Sequence, residues 1–229
     1  VGTRRPEGGV AMFDVPFADG ENRLVARAGT LTDVLTVGFR LAQASPERFT
    51  ELNVMLGSPR YFDDREAGLA WIPEQPYTPG SWGYVGGKAL RRSGTGWLGS
   101  ASAILGTKND PVFQTQRVGI ESFRADVPDG TYSVYLYWAE LDAAEKQEAL
   151  AYNLGSDGAQ QQYTGRRFDV SVNGRKVLGN FSIAAEVGFS RAMVRKVEVI
   201  VRDGKGLRID FGRIEGEPVL NAIRIYRNH

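Results

Sequence analysis

The chain has 229 residues, of which 28 are Lys or Arg and 27 are Asp or Glu, so its formal net charge is +1. This balance gives no general attraction to phosphate backbones or anionic lipid, which argues against nucleic-acid and membrane partners. The sequence has no Cys and a single His, the terminal His229. Disulfides, thiolate metal sites, cysteine nucleophiles and triads that need an internal imidazole are therefore excluded.

The first forty residues contain short apolar runs separated by turn signals. Strands are predicted at 12–15, 23–26 and 34–39, with turns at 19–22 and 29–30. Three strands bury little apolar area, and a unit of about forty residues without Cys is marginal by itself. We expect residues 1–44 to be the last strands of a sandwich whose earlier part lies upstream, followed by a linker at 42–46.

The rest of the chain, residues 48–229, is predicted to be one β domain because its apolar residues alternate with period two. The predicted strands are 131–141, 168–172, 175–178, 194–201, 207–211 and 222–226. The turns between them include Asn173-Gly174, the strongest short hairpin signal, and Asp203-Gly204. Short strands with turns every eight to twelve residues are typical of an antiparallel β-sandwich or jelly roll.

One segment departs from this pattern. Residues 142–154 are rich in helix formers and pair Asp142 with Lys146 at i,i+4, which predicts a short helical insertion. A plain surface loop is the alternative interpretation.

Residues 71–99 are dense in aromatic residues and glycine. Glycine lets the backbone approach a ligand closely, and an exposed ring offers a flat apolar face on which the CH groups of a sugar can lie. Trp82 and Tyr84 are therefore candidate sugar-stacking residues. The alternative is that these rings, with Trp71 and Trp97, close the end of the sandwich as part of its core.

The stretch 106–117 combines an Asn-Asp-Pro turn signal with polar residues in a strand-like run that ends at Arg117. Buried polar groups must be hydrogen-bonded, so this run indicates either an internal polar network or a ligand site. Carboxylate pairs could support glycoside hydrolysis without His, but surface carboxylates are the simpler interpretation. The carboxylates considered are Asp63, Asp64, Glu140, Asp142, Glu215 and Glu217.

Seven segments, in this order, resemble the malectin domain, which is assigned among carbohydrate-binding modules to family 57. They are 80–87 (GSWGYVGG), 106–117 (GTKNDPVFQTQR), 127–132 (VPDGTY), 137–140 (YWAE), 167–174 (RFDVSVNG), 181–188 (FSIAAEVG) and 217–223 (EPVLNAI). Residues 13–22 (FDVPFADGEN) resemble the end of an immunoglobulin-like domain of bacterial family 2 glycoside hydrolases, some of which carry a C-terminal malectin domain. The resemblance implies the tail of a β-galactosidase-like enzyme whose catalytic barrel is absent here.

The resemblance also implies a sugar site made of loop aromatics and one Asp. Its first aromatic corresponds to Trp82 or Tyr84, while its other positions fall on Val118, on Asp142-Ala143 and on Gly216 between Glu215 and Glu217. We therefore expect a rebuilt site, with no catalytic residue, metal or cofactor, that contains Trp82, Tyr84, Arg117, Asp142 and Glu215.

The sequence thus predicts a noncatalytic carbohydrate-binding module of a secreted glycoside hydrolase, periplasmic or extracellular, with a glycan and the parent catalytic domain as partners. The alternative is a structural module that packs against the catalytic core or a partner subunit and binds no sugar. An autonomous glycosidase is the third interpretation.

Overall fold

The structure, a computed structural model, describes residues 20–39, 49–92, 96–141 and 165–228. It also describes eight individual residues before position 16. Internal packing divides the chain into two compact units, Val1–Leu41 and Ala42–His229. The predicted linker at 42–46 and the predicted insertion at 142–154, which includes Asp142, lie outside the described residues.

In the first unit, β1 (Gly20–Ala28) and β2 (Leu31–Phe39) form an antiparallel hairpin that pairs along its whole length. The predicted turn at 29–30 joins the two strands, and Gly29 takes a φ of 61° there. The turn predicted at 19–22 is wrong, because residues 20–22 are already in β1, opposite residues 37–39 of β2. The strand predicted at 12–15 falls partly outside the described residues.

The second unit contains twelve strands and two short helices among its described residues. The strands up to the middle of the unit are β3 (Glu51–Met55), β4 (Phe62–Asp64), β5 (Leu69–Pro73), β6 (Trp82–Ala89), β7 (Arg117–Ala125) and β8 (Gly130–Trp138). The remaining strands are β9 (Arg167–Val172), β10 (Arg175–Phe181), β11 (Met193–Val201), β12 (Leu207–Glu215), β13 (Val219–Leu220) and β14 (Ala222–Arg227). The helices are α1 (Asp110–Phe113) and α2 (Ile183–Val187).

Two six-stranded sheets pack face to face. One has the order β10-β9-β12-β7-β13, with β6 on β7, and the other has the order β11-β8-β14-β3-β5-β4. Every pairing is antiparallel except β3 with β5. The predicted class, an all-β antiparallel sandwich, is confirmed.

The core lies between the inner faces of the two sheets. Strand β8 shows why: Tyr132, Val134, Leu136 and Trp138 are all fully buried on one face, as their period-two spacing predicts. The polar atom of the largest of these, Trp138 Nε1, donates a 2.7 Å hydrogen bond to the Val219 carbonyl. The indole thus enters the core without leaving its N–H unpaired.

The tight turns follow the sequence signals. Asn173 and Gly174 have φ values of 46° and 78° between β9 and β10, the left-handed pair that a two-residue hairpin requires. Asp203 and Gly204 follow β11 with φ values of 60° and 62°, and their backbone N–H groups donate to the Asp129 carboxylate.

The stretch 106–117 contains a helix where the sequence suggested a strand. Pro111 lies in the first turn of α1, where its missing N–H costs nothing. The buried Phe113 packs on Tyr137 of β8, with ring centroids 5.7 Å apart. A second cluster of apolar side chains therefore covers part of the outer face of the β8 sheet.

Within the described residues, no helix has the length and apolar character needed to cross a membrane.

Candidate functional site

The aromatic residues of 71–99 divide sharply by exposure. Trp71 and Trp82 are 2% and 7% exposed, whereas Trp97 is 67% exposed. Only Trp97 among these indoles offers most of its ring to a ligand.

The structure corrects the prediction for Trp82. This residue begins β6, which is a strand and not the expected loop, and its ring stacks on Phe123 with centroids 6.3 Å apart and planes 24° apart. Its Cα pairs with that of Ala125 at the far end of β7 from Arg117. Trp82 therefore belongs to the core and cannot stack on a sugar in this conformation.

Tyr84 and Arg117 come together, but as partners of each other. The guanidinium carbon of Arg117 lies 3.2 Å from the centroid of the half-buried Tyr84 ring and covers that face. Arg117 Nε and Nη2 donate to the two oxygens of Glu74 at 2.7 and 2.6 Å, and Nη1 donates to the Gly87 carbonyl at 2.8 Å. With only 5% exposure, Arg117 is fully committed inside the protein. The structure thus places Arg117 in an internal network, and its contact with a ligand stays a prediction.

The Arg117 guanidinium also fixes the conformation of the backbone beside it. Gly86 and Gly87 have φ values of 74° and 73°, where the register of β6 against β7 shifts. Because the Arg117 guanidinium holds both carbonyls of this bulge, the two glycines keep a fixed position next to Gly119 of β7.

The strand ends define two ends of the sandwich. At the end that we call the open end, β6, β8 and β12 finish while β7 and β9 start; at the opposite, closed end, Trp82 begins β6 and Ala125 ends β7. The pairs Ala89 with Arg117 and Glu215 with Arg167 lie at the open end.

A narrow hairpin continues β6 beyond Ala89 and carries Trp97. Arg91 bridges to Leu98, and the Arg92 N–H donates to the Trp97 carbonyl at 2.8 Å. The exposed indole thus sits on a hydrogen-bonded support and not on a free loop. The hairpin base is fixed by the Leu90 N–H, which donates to the Gln116 carbonyl.

Two carboxylates lie at the open end. Glu215 ends β12 with its side chain 46% exposed, and its Oε2 lies 3.8 Å from Arg167 Nε. Glu217 is exposed, and its carboxylate lies close to Gly119, which itself adjoins Gly87. A Cβ built on Gly119 would be 3.4 Å from Glu217 Oε1 and 3.7 Å from the Gly87 Cα. Backbone without side chains therefore adjoins an acceptor that faces solvent.

A buried ion pair lies beneath these carboxylates. Arg166 and Glu140 have side chains that are 4% and 0% exposed, joined by hydrogen bonds of 2.7 and 2.9 Å. Arg166 Nη1 also donates to the Glu217 carbonyl at 2.9 Å. The pair therefore fixes the turn that presents Glu215 and Glu217.

Of the five predicted site residues, the structure brings only Tyr84 and Arg117 into contact, leaves Glu215 at the open end, and removes Trp82 to the closed end. Asp142 is outside the described residues. Sequence reasoning did not single out Trp97 from its buried neighbours, because nothing in a glycine-rich segment distinguishes an exposed Trp from a buried one.

The open end offers chemistry suited to a polyhydroxylated ligand. An exposed indole supplies an apolar face, exposed carboxylates accept hydrogen bonds from hydroxyl groups, and neighbouring glycines leave the backbone open to close approach. Elsewhere, part of the run at 106–117 is joined by internal hydrogen bonds: Gln114 Nε2 donates to the Ser102 carbonyl at 3.1 Å, and Asn221 Nδ2 donates to the Phe113 and Thr115 carbonyls at 2.7 and 2.9 Å. Across the described part of the chain, no three His, Asp or Glu residues come together as a metal site would require.

Comparison with known protein families gives a match within the second unit. The sequence model of a family described as the malectin domain matches residues 54–223, well over half of the chain. No curated protein sequence matches the chain.

Solved structures match more of the chain. A β-glucuronidase of Bacteroides uniformis is 27% identical, with a TM-score of 0.73 over 95% of this chain and 24% of that chain. A calcium-binding mutant of β-glucuronidase 2 from the same organism is 28% identical, with a TM-score of 0.75 over 95% and 24%. The chain thus spans about a quarter of the length of these enzymes.

The ANXUR2 extracellular domain of Arabidopsis thaliana is 15% identical, with a TM-score of 0.52 over 78% of this chain and 48% of that chain. At this identity the similarity concerns the fold alone.

Proposed function

The chain belongs to the malectin domain family, a carbohydrate-binding type of domain, and from that premise we propose that it is the noncatalytic glycan-binding module of a larger glycoside hydrolase. The length of the similar structures supports this proposal, because a region like this chain makes up only about a quarter of each glucuronidase. The parent enzyme that we propose is a secreted family 2 glycoside hydrolase, periplasmic or extracellular, with β-galactosidase- or β-glucuronidase-type activity.

The binding site that we propose is the open end, and the observation that carries it is the exposure of Trp97. The Trp97 indole is 67% exposed on a hydrogen-bonded hairpin, so it holds a flat apolar face at the surface, where the CH groups of a sugar can lie against it. A sugar ring stacked on this indole would have the carboxylates of Glu215 and Glu217 at the same end of the sandwich, where they can accept hydrogen bonds from its hydroxyl groups. The function is to hold the parent enzyme on its glycan.

Calorimetric titration of the chain with neutral disaccharides and hexasaccharides of glucose, galactose, mannose and xylose tests this site. Trp97→Ala should lower the affinity of the open-end site for the bound sugar at least tenfold, about 1.4 kcal/mol. Tyr61→Ala is the matched control, because Tyr61 is 66% exposed on another loop. Equal affinity and equal stoichiometry of wild type and Trp97→Ala, or no binding at millimolar sugar, would refute the proposal.

A structural role is the second candidate, and the first unit supports it. The β1–β2 hairpin places Leu24, Leu35 and Leu31 on one face by its register, and Leu31 and Leu35 are 74% and 60% exposed. Such a face in residues 1–44 fits part of an immunoglobulin-like sandwich that is completed by other strands of the parent protein, ahead of a module at 48–229. Amide exchange in β1 and β2 should then be much slower in the full-length protein than in this chain; equal rates would argue against this role.

A further inference from the structure

Among the residues that the structure describes, side chains cover only one half of the outer face of the β8 sheet. Towards the open end, Trp71 and Phe113 pack on Tyr137, with ring centroids 5.1 and 5.7 Å away. Two residues earlier on the same face of β8, Tyr135 is half-exposed. The uncovered half of this face therefore begins at Tyr135.

Two tyrosines form the centre of the uncovered half. Tyr135 of β8 and Tyr226 of the adjacent β14 stack with ring centroids 6.0 Å apart and planes 22° apart. The guanidinium carbon of Arg224 lies 5.1 Å from the Tyr226 centroid and 5.7 Å from the Tyr135 centroid. The ammonium of Lys196 on β11 lies 6.0 Å from the Tyr135 centroid. The two rings thus lie beside two cations, Arg224 on β14 and Lys196 on β11.

Each of these cations has a carboxylate partner. Arg224 Nε donates to Glu51 Oε1 at 2.8 Å, and Lys196 Nζ donates to Glu198 Oε1 at 3.0 Å. The four charges cancel, so the cluster has no field that would select an anion or a nucleic acid. Each pair still has further N–H groups and a second carboxylate oxygen with which to meet hydroxyl groups.

The tyrosine hydroxyls also interact. Hydrogen bonds with Ser133 and Tyr135 hold the pKa of Tyr226 below its usual value, helped by the charges of Lys196 and Arg224. The bond to Tyr226 and then burial raise the pKa of Tyr135. The two tyrosine hydroxyls are therefore linked at the centre of the cluster.

The arrangement of this face differs from that of a protein interface. Interfaces between proteins have an apolar centre depleted of charge and a polar rim. Here charges flank the rings at the centre, whereas the apolar side chains, Val194 and Ile200, which are 38% and 58% exposed, lie on the edge strand β11. A ligand that combines apolar CH groups with many hydroxyls fits such a centre better.

We propose that the Tyr135–Tyr226 cluster, with Arg224, Glu51, Lys196 and Glu198, is a second carbohydrate-binding surface that takes a neutral oligosaccharide against the sheet face. The exposed parts of the two half-buried rings receive the CH groups of the sugars, and the two ion pairs receive their hydroxyls. The proposal takes its ligand class from the proposed function, but uses a different face and different residues from the open end. Two surfaces on one module would raise retention on a polymeric glycan through avidity.

Calorimetry of the 229-residue chain with the same neutral hexasaccharides tests the second surface. The wild type should bind with two sites per chain, and both Trp97→Ala and the Tyr135→Ala, Tyr226→Ala double variant should each retain one. If Trp97→Ala abolishes all binding while the double variant keeps full stoichiometry, the second surface is refuted and the open-end site stands. If Trp97→Ala has no effect and the double variant abolishes binding, the open-end site is refuted and the second surface stands.

A measurement on the wild type covers the case in which the double variant fails to fold. Addition of the hexasaccharide should shift the backbone amide signals of residues 133–135, 196–198 and 224–226 in two-dimensional NMR spectra. Unchanged amide signals in these three segments at saturating sugar would refute the second surface. Tyr61→Ala is again the matched control and should keep both sites.

Discussion

The two ends of the sandwich use the same residue types for opposite purposes. At the closed end, Trp82 stacks on Phe123 and is 7% exposed, while at the open end Trp97 is 67% exposed on its hairpin. The strand β6 separates the ends with eight residues, about 25 Å at roughly 3.3 Å per residue. Aromatic density in a segment therefore does not locate a site; the strand end at which each ring emerges does.

The largest effect should come from opening the closed end. Trp82→Ala removes a buried ring from the core and should lower the free energy of unfolding by about 3–5 kcal/mol. Urea unfolding measures this loss, and Trp82→Phe, which keeps a ring against Phe123, should cost less. The folded fraction of Trp82→Ala should bind sugar with the wild-type affinity. A lower affinity of the folded variant would place Trp82 in the binding site after all.

The open end should depend on its buried ion pair nearly as strongly. Glu140→Gln leaves the Arg166 guanidinium buried without its counter-charge and should cost about 3 kcal/mol in unfolding free energy. The matched control is Glu215→Gln, whose exposed pair with Arg167 should contribute less than about 1 kcal/mol. Comparable losses in the two variants would mean that burial does not set the strength of these pairs.

A smaller effect should appear at alkaline pH. Burial raises the pKa of Tyr132 and Tyr137, so both hold their protons more tightly in the folded chain than in the unfolded one. Their stabilisation is complete below pH 10, where the unfolded phenols begin to ionise, and is lost progressively as the pH rises towards the folded pKa values. Unfolding free energy should therefore fall above pH 10, and Tyr137→Phe should weaken that dependence; an unchanged pH profile would contradict the assignment.

The smallest effect should come from a surface ion pair at the closed end. Lys205 and Asp203 lie 3.2 Å apart with side chains 77% and 74% exposed. Lys205→Ala should change the unfolding free energy by less than about 0.5 kcal/mol, because solvent screens such pairs. A loss above 1 kcal/mol in thermal or urea unfolding would show that charge, and not packing, closes this end.

Much of the fold could be predicted because local patterns determine it. Alternation located β8, β9, β11 and β14, and the Asn173-Gly174 signal placed a hairpin turn where the φ values require it. Strand β6 was mistaken for a loop because of its glycines. Tertiary contact explains them: a Cβ on Gly83 would lie 2.4 Å from the Gln75 carbonyl oxygen, so only glycine fits beside that neighbouring segment.

The candidate site could be predicted only in part, because its contacts join residues that are distant in sequence. Arg117 meets Glu74 across 43 positions, and Arg166 meets Glu140 across 26. A single sequence carries no signal for such pairings. Sequence reasoning could therefore recognise Arg117 as a residue type that contacts ligands, but it could not show that the side chain is buried in the protein. Glu215 became a candidate through the family resemblance; the predicted strand 207–211 stops short of it, whereas β12 runs to Glu215 and carries it to the open end.

The four indole N–H signals of the chain provide the most direct test of the open-end site. Three of the tryptophans, Trp71, Trp82 and Trp138, are buried, and only Trp97 is exposed. In two-dimensional NMR spectra, addition of the bound sugar should shift the Trp97 indole signal and leave the other three in place. A shift of the Trp82 signal with an unchanged Trp97 signal would contradict the account.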